Sequence, residues 1–403
     1  MIYCHGVVHN SLFKQAAFHY DEWEVLAGHP GGGKNVLLFI LFAAALILSG
    51  CSFVEDSKAA DELTSVSHAD KAQSEMSWKD ATALKGTNEV GHESINIVAA
   101  GDVMFEWSLE QTIEKEGPVY PFEKVSDSIS EADYALVNLE TAVTERGMKD
   151  PKQYNFRSPP NYLEGLLYAG FDFVSLANNH TRDYGVEGLT DTLHYLYTYN
   201  VDYAGAGYNE SDAYKANTVE LNGETVSVLA FSQVLPSTDW YATGGQPGIA
   251  SGYQQQRCLD LIKEAKESSN YTIVYMHWGT ESEVTPEKET RDYAEAMVKA
   301  GADAVIGSHP HVLQGFELID GSPVAYSLGN FLFPDYVEGV QAQTGLLQLE
   351  LHNGSVDIGF VPWKIEDDQL VNPGTAYQEE QWAYLEEISY GVTLDQGAIR
   401  STE

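Results

Sequence analysis

Short apolar runs alternate with amphipathic stretches along the chain from residue 95 onward. The apolar runs predict buried strands at 95–100, 133–140, 171–180, 271–279, 302–311 and 322–333. Helical periodicity predicts helices at 186–199, 254–267 and 286–300. Asn-Gly turns at 222–223 and 353–354 predict hairpins over 218–232 and 345–363. Strands that alternate with helices, followed by hairpins, predict an α/β fold with a mixed sheet or two packed sheets.

The hydrophobic pattern before residue 95 is different and predicts a membrane-targeting segment. Residues 36–48 form an apolar run of 13 residues, whereas a membrane-spanning helix needs about 20. The run fits a secretory signal peptide, and Leu48-Ser49-Gly50-Cys51 follows it in the pattern of a lipobox, in which Cys51 would carry the lipid. A short transmembrane anchor with an incidental cysteine is the alternative. Both interpretations place the bulk of the chain on the extracytoplasmic face of the cell membrane.

These patterns divide the chain into four segments. Residues 1–34 carry acidic side chains that are unusual in a signal peptide, so we hypothesise that they are translated upstream sequence and that the natural start is close to Val36. Cys258 lies in a predicted helix and, with Cys51 acylated, is expected to be a buried free thiol. The predicted segments are a leader with a lipoprotein signal peptide (1–51), a flexible acidic and polar tether (52–94), the α/β domain (95–365) and a C-terminal tail with one helix (366–403).

The charge of the chain restricts its partners. Sixty acidic residues against 22 basic ones give a net charge of −38. A field of that sign repels nucleic acid and anionic lipid headgroups, so neither is expected to bind through charge. It also repels polyanionic substrates unless metal ions or local Arg and Lys side chains offset it.

Five predicted strands end in side chains that can bind metal ions. In open α/β sheets, ligand sites form beyond the carboxyl ends of the strands. Carboxylate, amide and imidazole donors together suit Mn, Fe or Zn, and their number predicts two ions, with Glu140 as the candidate bridge. Taken alone, each motif has an ordinary explanation, such as a turn, a helix cap or a core histidine. The strand-end residues are Asp102; Asn138 and Glu140; Asn178, Asn179 and His180; His277; and His309 and His311.

At these residues the sequence resembles a known family. Gly101-Asp102-Val103-Met104, Asn138-Leu139-Glu140, Leu176-Ala177-Asn178-Asn179-His180, His277-Trp278-Gly279, Gly307-Ser308-His309-Pro310-His311 and Ser327-Leu328-Gly329-Asn330-Phe331 stand in the order seen in CapA-type poly-γ-glutamate capsule synthesis proteins. The resemblance covers about 95–363. It implies the calcineurin-like metallophosphatase fold, a four-layer sandwich of two stacked mixed β-sheets flanked by helices.

The resemblance also implies roles for individual residues. Asp102, Glu140, Asn179, His277, His309 and His311 would be metal ligands. His180 would act beside the phosphoryl group, and Asn138, Asn178 and Asn330 would support the site. The wider superfamily usually has Asp-x-His at its first motif, whereas here Met104 stands two residues after Asp102. One metal position therefore lacks an imidazole, which argues against efficient phosphoesterase activity.

Two further residues are candidates for the substrate pocket. Arg157, a rare cation in an acidic chain, could clamp a carboxylate or a phosphate, or could form a surface ion pair. Asp183 could accept a hydrogen bond from His180 and orient its imidazole, or could cap the following helix.

Three functions fit these features. The first is a metal-dependent phosphoesterase that assists the synthesis or export of poly-γ-glutamate. The second is a non-catalytic accessory subunit of the synthesis and export complex, and the third is a hydrolase or transferase that acts on amide bonds of the polymer. The expected partners are an anionic cell-surface polymer or its precursors, the membrane through the lipid anchor, and integral-membrane synthesis or export proteins.

Overall fold

The computed structural model describes residues 94–334 and 336–402. The predicted leader, the lipidation site Cys51 and the tether up to residue 93 lie outside these residues. Within them, no helix has the length and the apolar content needed to cross a membrane.

The first half of the described chain alternates strands and helices. Its elements are β1 (Ile95–Val103), α1 (Ser108–Glu116), α2 (Ser126–Ser130), β2 (Tyr134–Leu139), β3 (Ala142–Val143), β4 (Arg157–Ser158), α3 (Leu163–Ala169), β5 (Phe173–Ser175), α4 (Gly185–Tyr199), β6 (Asp202–Ala204), β7 (Ala206–Gly207), α5 (Glu210–Ala213), β8 (Asn217–Leu221) and β9 (Glu224–Ser232).

The second half has two long helices and then mostly strands. Its elements are β10 (Gly248–Ile249), α6 (Gln255–Ser268), β11 (Tyr271–His277), α7 (Lys288–Ala300), β12 (Ala304–Ser308), β13 (Phe316–Ile319), β14 (Ser322–Ala325), β15 (Asn330–Leu332), β16 (Gln343–His352), β17 (Ser355–Glu366), β18 (Gln369–Val371), α8 (Thr375–Glu387), β19 (Val392–Asp395) and β20 (Ala398–Ser401).

The strands form two large sheets. A ten-stranded sheet runs in the order β19-β20-β17-β16-β1-β2-β5-β6, with β15 beside β1 and β18 beside β17. A six-stranded sheet runs in the order β13-β14-β12-β11-β9-β8. The centres of both sheets are parallel, β1-β2-β5-β6 in the first and β9-β11-β12-β14 in the second. In each sheet, the carboxyl ends of these parallel strands therefore lie along the same edge.

Apolar packing arranges the two sheets and the helices in four layers. Ile97 and Leu136 from the large sheet are buried in one core with Ile273 and Ile306 from the smaller sheet. The outer face of the large sheet packs against α1–α4, and that of the smaller sheet packs against α6 and α7. On α7 the buried positions include 290, 293, 294 and 297, the spacing of one helical face. The predicted fold class, two stacked mixed sheets flanked by helices, is confirmed.

Local sequence signals predicted both hairpins correctly. Asn222 and Gly223 have φ angles of 49° and 82° between β8 and β9, and Asn353 and Gly354 have 49° and 76° between β16 and β17. Paired positive φ values at a two-residue loop match the right-handed twist of the strands, and Asn-Gly is the sequence that tolerates them best. Cys258 is a buried free thiol in α6, as predicted.

The apolar run 322–333 was predicted as one strand, and this prediction is wrong. The run is divided into β14, in the smaller sheet, and β15, in the larger. The segment between them bonds to both sheets: Leu328 N–H donates to Gly307 O, and Gly329 O accepts from Asp102 N–H. Gly329 has a φ of 61°, which glycine adopts without strain. The chain thus changes sheet at the edge where the strand-end residues lie.

The segment predicted as a C-terminal tail belongs to the large sheet. Helix α8 occupies most of the stretch predicted to be helical, 377–388. The sequence analysis missed β18, β19 and β20, and β17 pairs with both β18 and β20. The predicted boundary at residue 365 falls inside the β17–β18 hairpin, where Ile365 pairs with Leu370. The alternating pattern of these short strands is too brief to separate them from loop sequence.

Candidate metal centre

The strand ends of both sheets deliver their polar side chains to one place. The described residues include three groups of ligand atoms that could each hold a metal ion. Within each group, the atoms lie within 4.8 Å of one another. Five of the six predicted metal ligands belong to these groups, and Asn179 contacts one of their histidines. The groups are Glu140, His277 and His309; Asp102, Glu140 and His311; and Glu281, His309 and His311.

Asp102 is buried near the end of β1, and both of its carboxylate oxygens accept hydrogen bonds. Asn138 Nδ2 donates to Oδ1 at 2.8 Å, and the backbone N–H of His309 donates to Oδ2 at 3.2 Å. Burial raises the pKa of Asp102, and the nearby His311 opposes that rise. His311 Nδ1 lies 3.6 Å from Oδ2. The carboxylate is therefore fixed between the strand ends of the two sheets.

Glu140 follows β2 and is completely buried, at 0% exposure. Within the described part of the chain, neither of its carboxylate oxygens has a hydrogen-bond partner. Oε1 lies 3.6 Å from His277 Nε2 and 3.9 Å from His180 Nε2, distances too long for hydrogen bonds. Burial raises the pKa of Glu140 well above its ordinary range, and Asp102 raises it further. A buried carboxylate without donors is costly, and a cation among these atoms would satisfy it.

His277 ends β11 and joins Glu140 to Asn179. Its Nε2 lies 2.7 Å from Asn179 Oδ1, and its Nδ1 lies 3.0 Å from Ser308 Oγ. Burial lowers the pKa of His277 well below its ordinary value, with a further contribution from His309. A neutral imidazole is the form that binds a metal ion. Nε2 therefore lies within 3.6 Å of both an amide oxygen and a carboxylate oxygen.

The His-Pro-His loop after β12 has a strained backbone. His309 has a φ of 98° and His311 a φ of 57°. Residues other than glycine adopt such values only with backbone strain. His309 is 4% exposed, and its Nδ1 has no hydrogen-bond partner among the described residues. Burial lowers the pKa of His309 to about 3, with His311 contributing to the decrease. This backbone brings the two imidazole rings to the cluster, with their ring centroids 5.8 Å apart.

The three predicted supporting residues hold other site residues in place. Asn330 pairs with Asp102 in the sheet register. Its Oδ1 lies 2.9 Å from His311 Nδ1, and its Nδ2 donates to His311 O at 3.2 Å. Asn178 Nδ2 donates to Asn138 Oδ1 at 3.1 Å, and Asn178 Oδ1 accepts from the backbone N–H of His180 at 3.0 Å. Asn138 and Asn178 thus bond to each other behind the donor atoms, and Asn330 bonds to His311.

His180 is fixed by a buried ion pair and an aromatic ring. Its Nδ1 lies 2.7 Å from Asp183 Oδ2, and its ring stacks on Phe156 with centroids 3.9 Å apart. Lys152 Nζ lies 2.5 Å from Asp183 Oδ1 and 3.2 Å from His180 Nδ1. Burial lowers the pKa of His180 well below its ordinary value, with Lys152 adding to the effect. Asp183 makes no cap for α4, because the residue before that helix is Tyr184.

Arg157 is not brought into the cluster. Its guanidinium carbon lies 4.3 Å from the ring centroid of Tyr184, and its backbone N–H donates to Glu106 at 2.6 Å. In the described part of the chain no side-chain hydrogen bond joins Arg157 to a strand-end residue. The cation packs on an aromatic face, and its role in the substrate pocket stays a prediction.

Two residues at the site were missed by the sequence analysis, Lys152 and Glu281. Lys152 lies in the loop between β3 and β4, where no strand-end pattern marks it. Glu281 follows His277 by four residues and could have been noted as a carboxylate close to a candidate ligand. Met104, by contrast, is buried, and its Sδ accepts the N–H of Glu106 at 3.0 Å. It supplies no imidazole to the site.

The residues present fit a divalent transition metal. The donors are carboxylate, amide and imidazole groups, and no thiolate lies among them. The unpartnered oxygens of Glu140 and the unpartnered Nδ1 of His309 are both buried in the cluster. Hydrogen bonds to Asp102 and contacts of Asn330 with His311 orient the ligands, as outer residues do at metal sites.

The chain is similar to known bacterial capsule synthesis proteins. Residues 96–335 match the family model described as "Bacterial capsule synthesis protein PGA_cap". The "PGA biosynthesis protein CapA" of Bacillus subtilis is 35% identical over 236 residues, 58% of this chain and 62% of that protein, so the match spans less than two thirds of that relative. The "Capsule biosynthesis protein CapA" of Bacillus anthracis is 32% identical over 285 residues, 68% of this chain and 69% of that protein.

Proposed function

Since the chain belongs to the PGA_cap family of bacterial capsule synthesis proteins, within the metallophosphatase-like superfamily, we propose that it assists the synthesis or export of poly-γ-glutamate and carries a divalent-metal-dependent phosphoesterase site. The relatives named for capsule or PGA biosynthesis support the first part. The site geometry supports the second part. The proposal includes two metal ions of the Mn, Fe or Zn class.

A single observation carries the proposed chemistry: the buried, unpartnered carboxylate of Glu140 lies among imidazoles from both sheets. Asn179, His277 and His309 would hold one ion, and Asp102 and His311 would hold the other. Glu140 belongs to both groups of ligand atoms and could contribute to either. Bound divalent ions lower the pKa of a bound water molecule and stabilise charge on phosphoryl oxygens.

The residues of the chain then orient the reacting groups. The Asp183 carboxylate accepts the Nδ1–H of His180 and fixes the imidazole plane, which Phe156 supports from one side. His180 Nε2 then faces the Glu140 side of the cluster, where it can exchange a proton or a hydrogen bond with a phosphoryl or leaving-group oxygen. Lys152 balances the charge of Asp183 behind the ring. The buried cluster leaves little room for bulk water around these atoms.

Metal-dependent hydrolysis of an aryl phosphate by the purified protein tests the proposal. We expect activity that a chelator removes and that Mn, Fe or Zn restores. His180→Ala should abolish it, whereas His194→Ala, the same change at an exposed position on α4, should not. No metal-dependent turnover under any of these metals would argue against a phosphoesterase.

A second function, that of a non-catalytic accessory subunit, is favoured by Met104. This residue takes the place of an imidazole ligand and is engaged with Glu106 instead. An accessory role predicts that cells carrying Asp102→Ala or His309→Ala still produce polymer. Loss of polymer in these variants, with the protein present at normal levels, would contradict it.

The location of the protein is part of the proposal. The apolar run 36–48 and the lipobox ending at Cys51 support a lipid anchor on the extracytoplasmic face of the membrane. There the protein would meet the nascent anionic polymer and integral-membrane synthesis or export partners. Cys51→Ser should prevent lipidation and release the protein from the membrane fraction of cells. Retention of that variant with the membranes would favour a transmembrane anchor.

A further inference from the structure

Glu281 places a carboxylate at the solvent side of the cluster. It lies in the loop that follows β11 and is exposed, in contrast to the buried Asp102 and Glu140. Its carboxylate lies within 4.8 Å of ligand atoms of both His309 and His311. One exposed carboxylate and two imidazoles therefore surround a position at the mouth of the site.

Contacts with the His-Pro-His loop hold the Glu281 loop in place. The backbone N–H of Ser282 donates to Pro310 O at 2.8 Å, and Gln314 Nε2 donates to Glu283 O at 2.7 Å. The first hydrogen bond involves the residue immediately after Glu281. The second involves the backbone oxygen of Glu283, two residues after Glu281. The position of the Glu281 backbone is thus coupled to the loop that carries the two histidines.

The position assigned to His311 would have fewer protein donors than a transition metal takes ligands. Asp102, Glu140 and His311 give it three, whereas transition metals at such sites take four to six ligands. Met104 cannot make up the difference, because it is buried and its Sδ accepts the N–H of Glu106. The neighbouring His309 has a buried Nδ1 without a partner among the described residues, and a cation at the cluster would satisfy it.

We propose that Glu281 is a ligand of the metal ion held by His311 and closes its coordination on the solvent side, in place of the imidazole that Met104 does not provide. The inference rests on the proposed function insofar as the cluster binds divalent ions. A carboxylate in contact with water exchanges with solvent more readily than a buried ligand. The position at His311 is therefore the weaker and more readily exchanged of the two.

Binding of Mn²⁺ alone to the full chain, freed of metal, tests this role. Titration calorimetry, with the electron paramagnetic resonance signal of free Mn²⁺ as a second readout, should resolve a tighter and a weaker class of site. Glu281→Gln should weaken the weaker class by about tenfold or more and leave the tighter class unchanged. Glu283→Gln, the same change at an exposed position in the same loop, should alter neither. Asn179→Ala should affect the tighter class instead.

The outcomes separate this inference from the proposed function. Wild-type protein that binds no Mn²⁺ overturns the proposed function and this inference with it. If Glu281→Gln leaves the Mn²⁺ affinity unchanged, the inference alone is overturned. This holds whether the titration resolves two classes of site or one. Loss of both classes in Glu281→Gln, with unchanged thermal unfolding of the metal-free protein, also contradicts a ligand confined to the His311 position.

Discussion

Glu140 shows how one buried residue can be unfavourable for the metal-free fold and necessary for binding. Its carboxylate has no hydrogen-bond donor among the described residues, and burial together with Asp102 raises its pKa. An ordinary buried carboxylate is hydrogen-bonded or paired with a cation. The free energy lost in burying Glu140 is recovered when a divalent ion binds.

Glu140→Gln should therefore separate stability from metal binding. At pH 8 and without metal, removal of the buried carboxyl group, which has no hydrogen-bond partner, is expected to raise the free energy of unfolding by about 1–3 kcal/mol. Wild-type protein should gain about 2.7 kcal/mol when Mn²⁺ is present at a hundred times its dissociation constant, and the variant should gain none. Urea denaturation with and without Mn²⁺ measures both effects. Glu187→Gln, at an exposed position, is the control, and a variant that Mn²⁺ still stabilises would contradict the assignment.

Asp183 predicts a dependence of stability on pH. Burial raises its pKa from 3.8 to about 7, although Lys152 and the N–H of Phe156 lower it. Between these values the folded chain retains a proton that the unfolded chain has released, so stability decreases as pH rises from about 4 to 7 and is level above that range. The decrease from this one group is at most about 4 kcal/mol.

Asp183→Asn should remove that part of the pH dependence. The difference in free energy of unfolding between wild-type and variant proteins should change across pH 4–7 and stay constant above it. Denaturation of the metal-free proteins at several pH values measures the difference. A constant difference across the whole range would show that Asp183 is ionised throughout, as the nearby Lys152 would favour.

At the scale of elements, the site depends on how closely the strand ends approach the segment that crosses between the sheets. Gly101 lies in β1 beside Gly329, and a Cβ atom on Gly101 would lie 2.0 Å from Gly329 O. The backbone of Asp102 bonds to the same oxygen at 2.9 Å. A side chain at residue 101 would push β1 away from the crossing segment and displace the carboxylate of Asp102.

Gly101→Ala is expected to destabilise the protein by about 3 kcal/mol, because backbone atoms cannot give way as side chains can. It should also weaken Mn²⁺ binding, since the adjacent Asp102 moves. Gly245→Ala is the control: no atom lies within 4 Å of its added Cβ, so its effect should stay within about 0.5 kcal/mol. Thermal unfolding and calorimetry of both variants provide the measurements. Equal stability of the two would mean that the crossing segment adapts.

At the scale of the whole molecule, the C-terminal strands complete the core between the sheets. Val392 in β19 and Ile399 in β20 are buried in that core, and β20 pairs with β17. The backbone N–H of Phe360 donates to Gly397 O at 2.9 Å. We therefore propose that the domain extends to residue 402 and has no separate tail.

A chain that ends after Ile388 should be less stable by about 3–6 kcal/mol, given roughly 1.5–3 kcal/mol for each buried aliphatic side chain removed. Thr393→Ala in the full chain, on the exposed face of β19, should change stability by less than about 0.5 kcal/mol. Urea denaturation of both proteins tests this. An unchanged midpoint in the shortened chain would restore the interpretation of residues 389–402 as an appended tail.

Part of the site was predictable from sequence because its residues stand at the ends of recognisable strands. Asp102, Glu140 and His277 each follow an apolar run, and parallel strands direct such residues to one edge. The Asn-Gly hairpins were predictable for an equally local reason, since the turn conformation depends on two adjacent residues. The resemblance to the capsule family rested on the same motifs and is confirmed by the family match.

The sequence alone therefore determined the central strands of the two sheets, the Asn-Gly turns, the donor types of the cluster and the family. Tertiary structure decided which sheet each strand joins, the division of 322–333 between two sheets, the inclusion of the last strands, and the arrival of Lys152 and Glu281 at the cluster. The reason is physical: strand and turn formation depends on neighbouring residues, whereas these placements depend on packing between segments far apart in the chain.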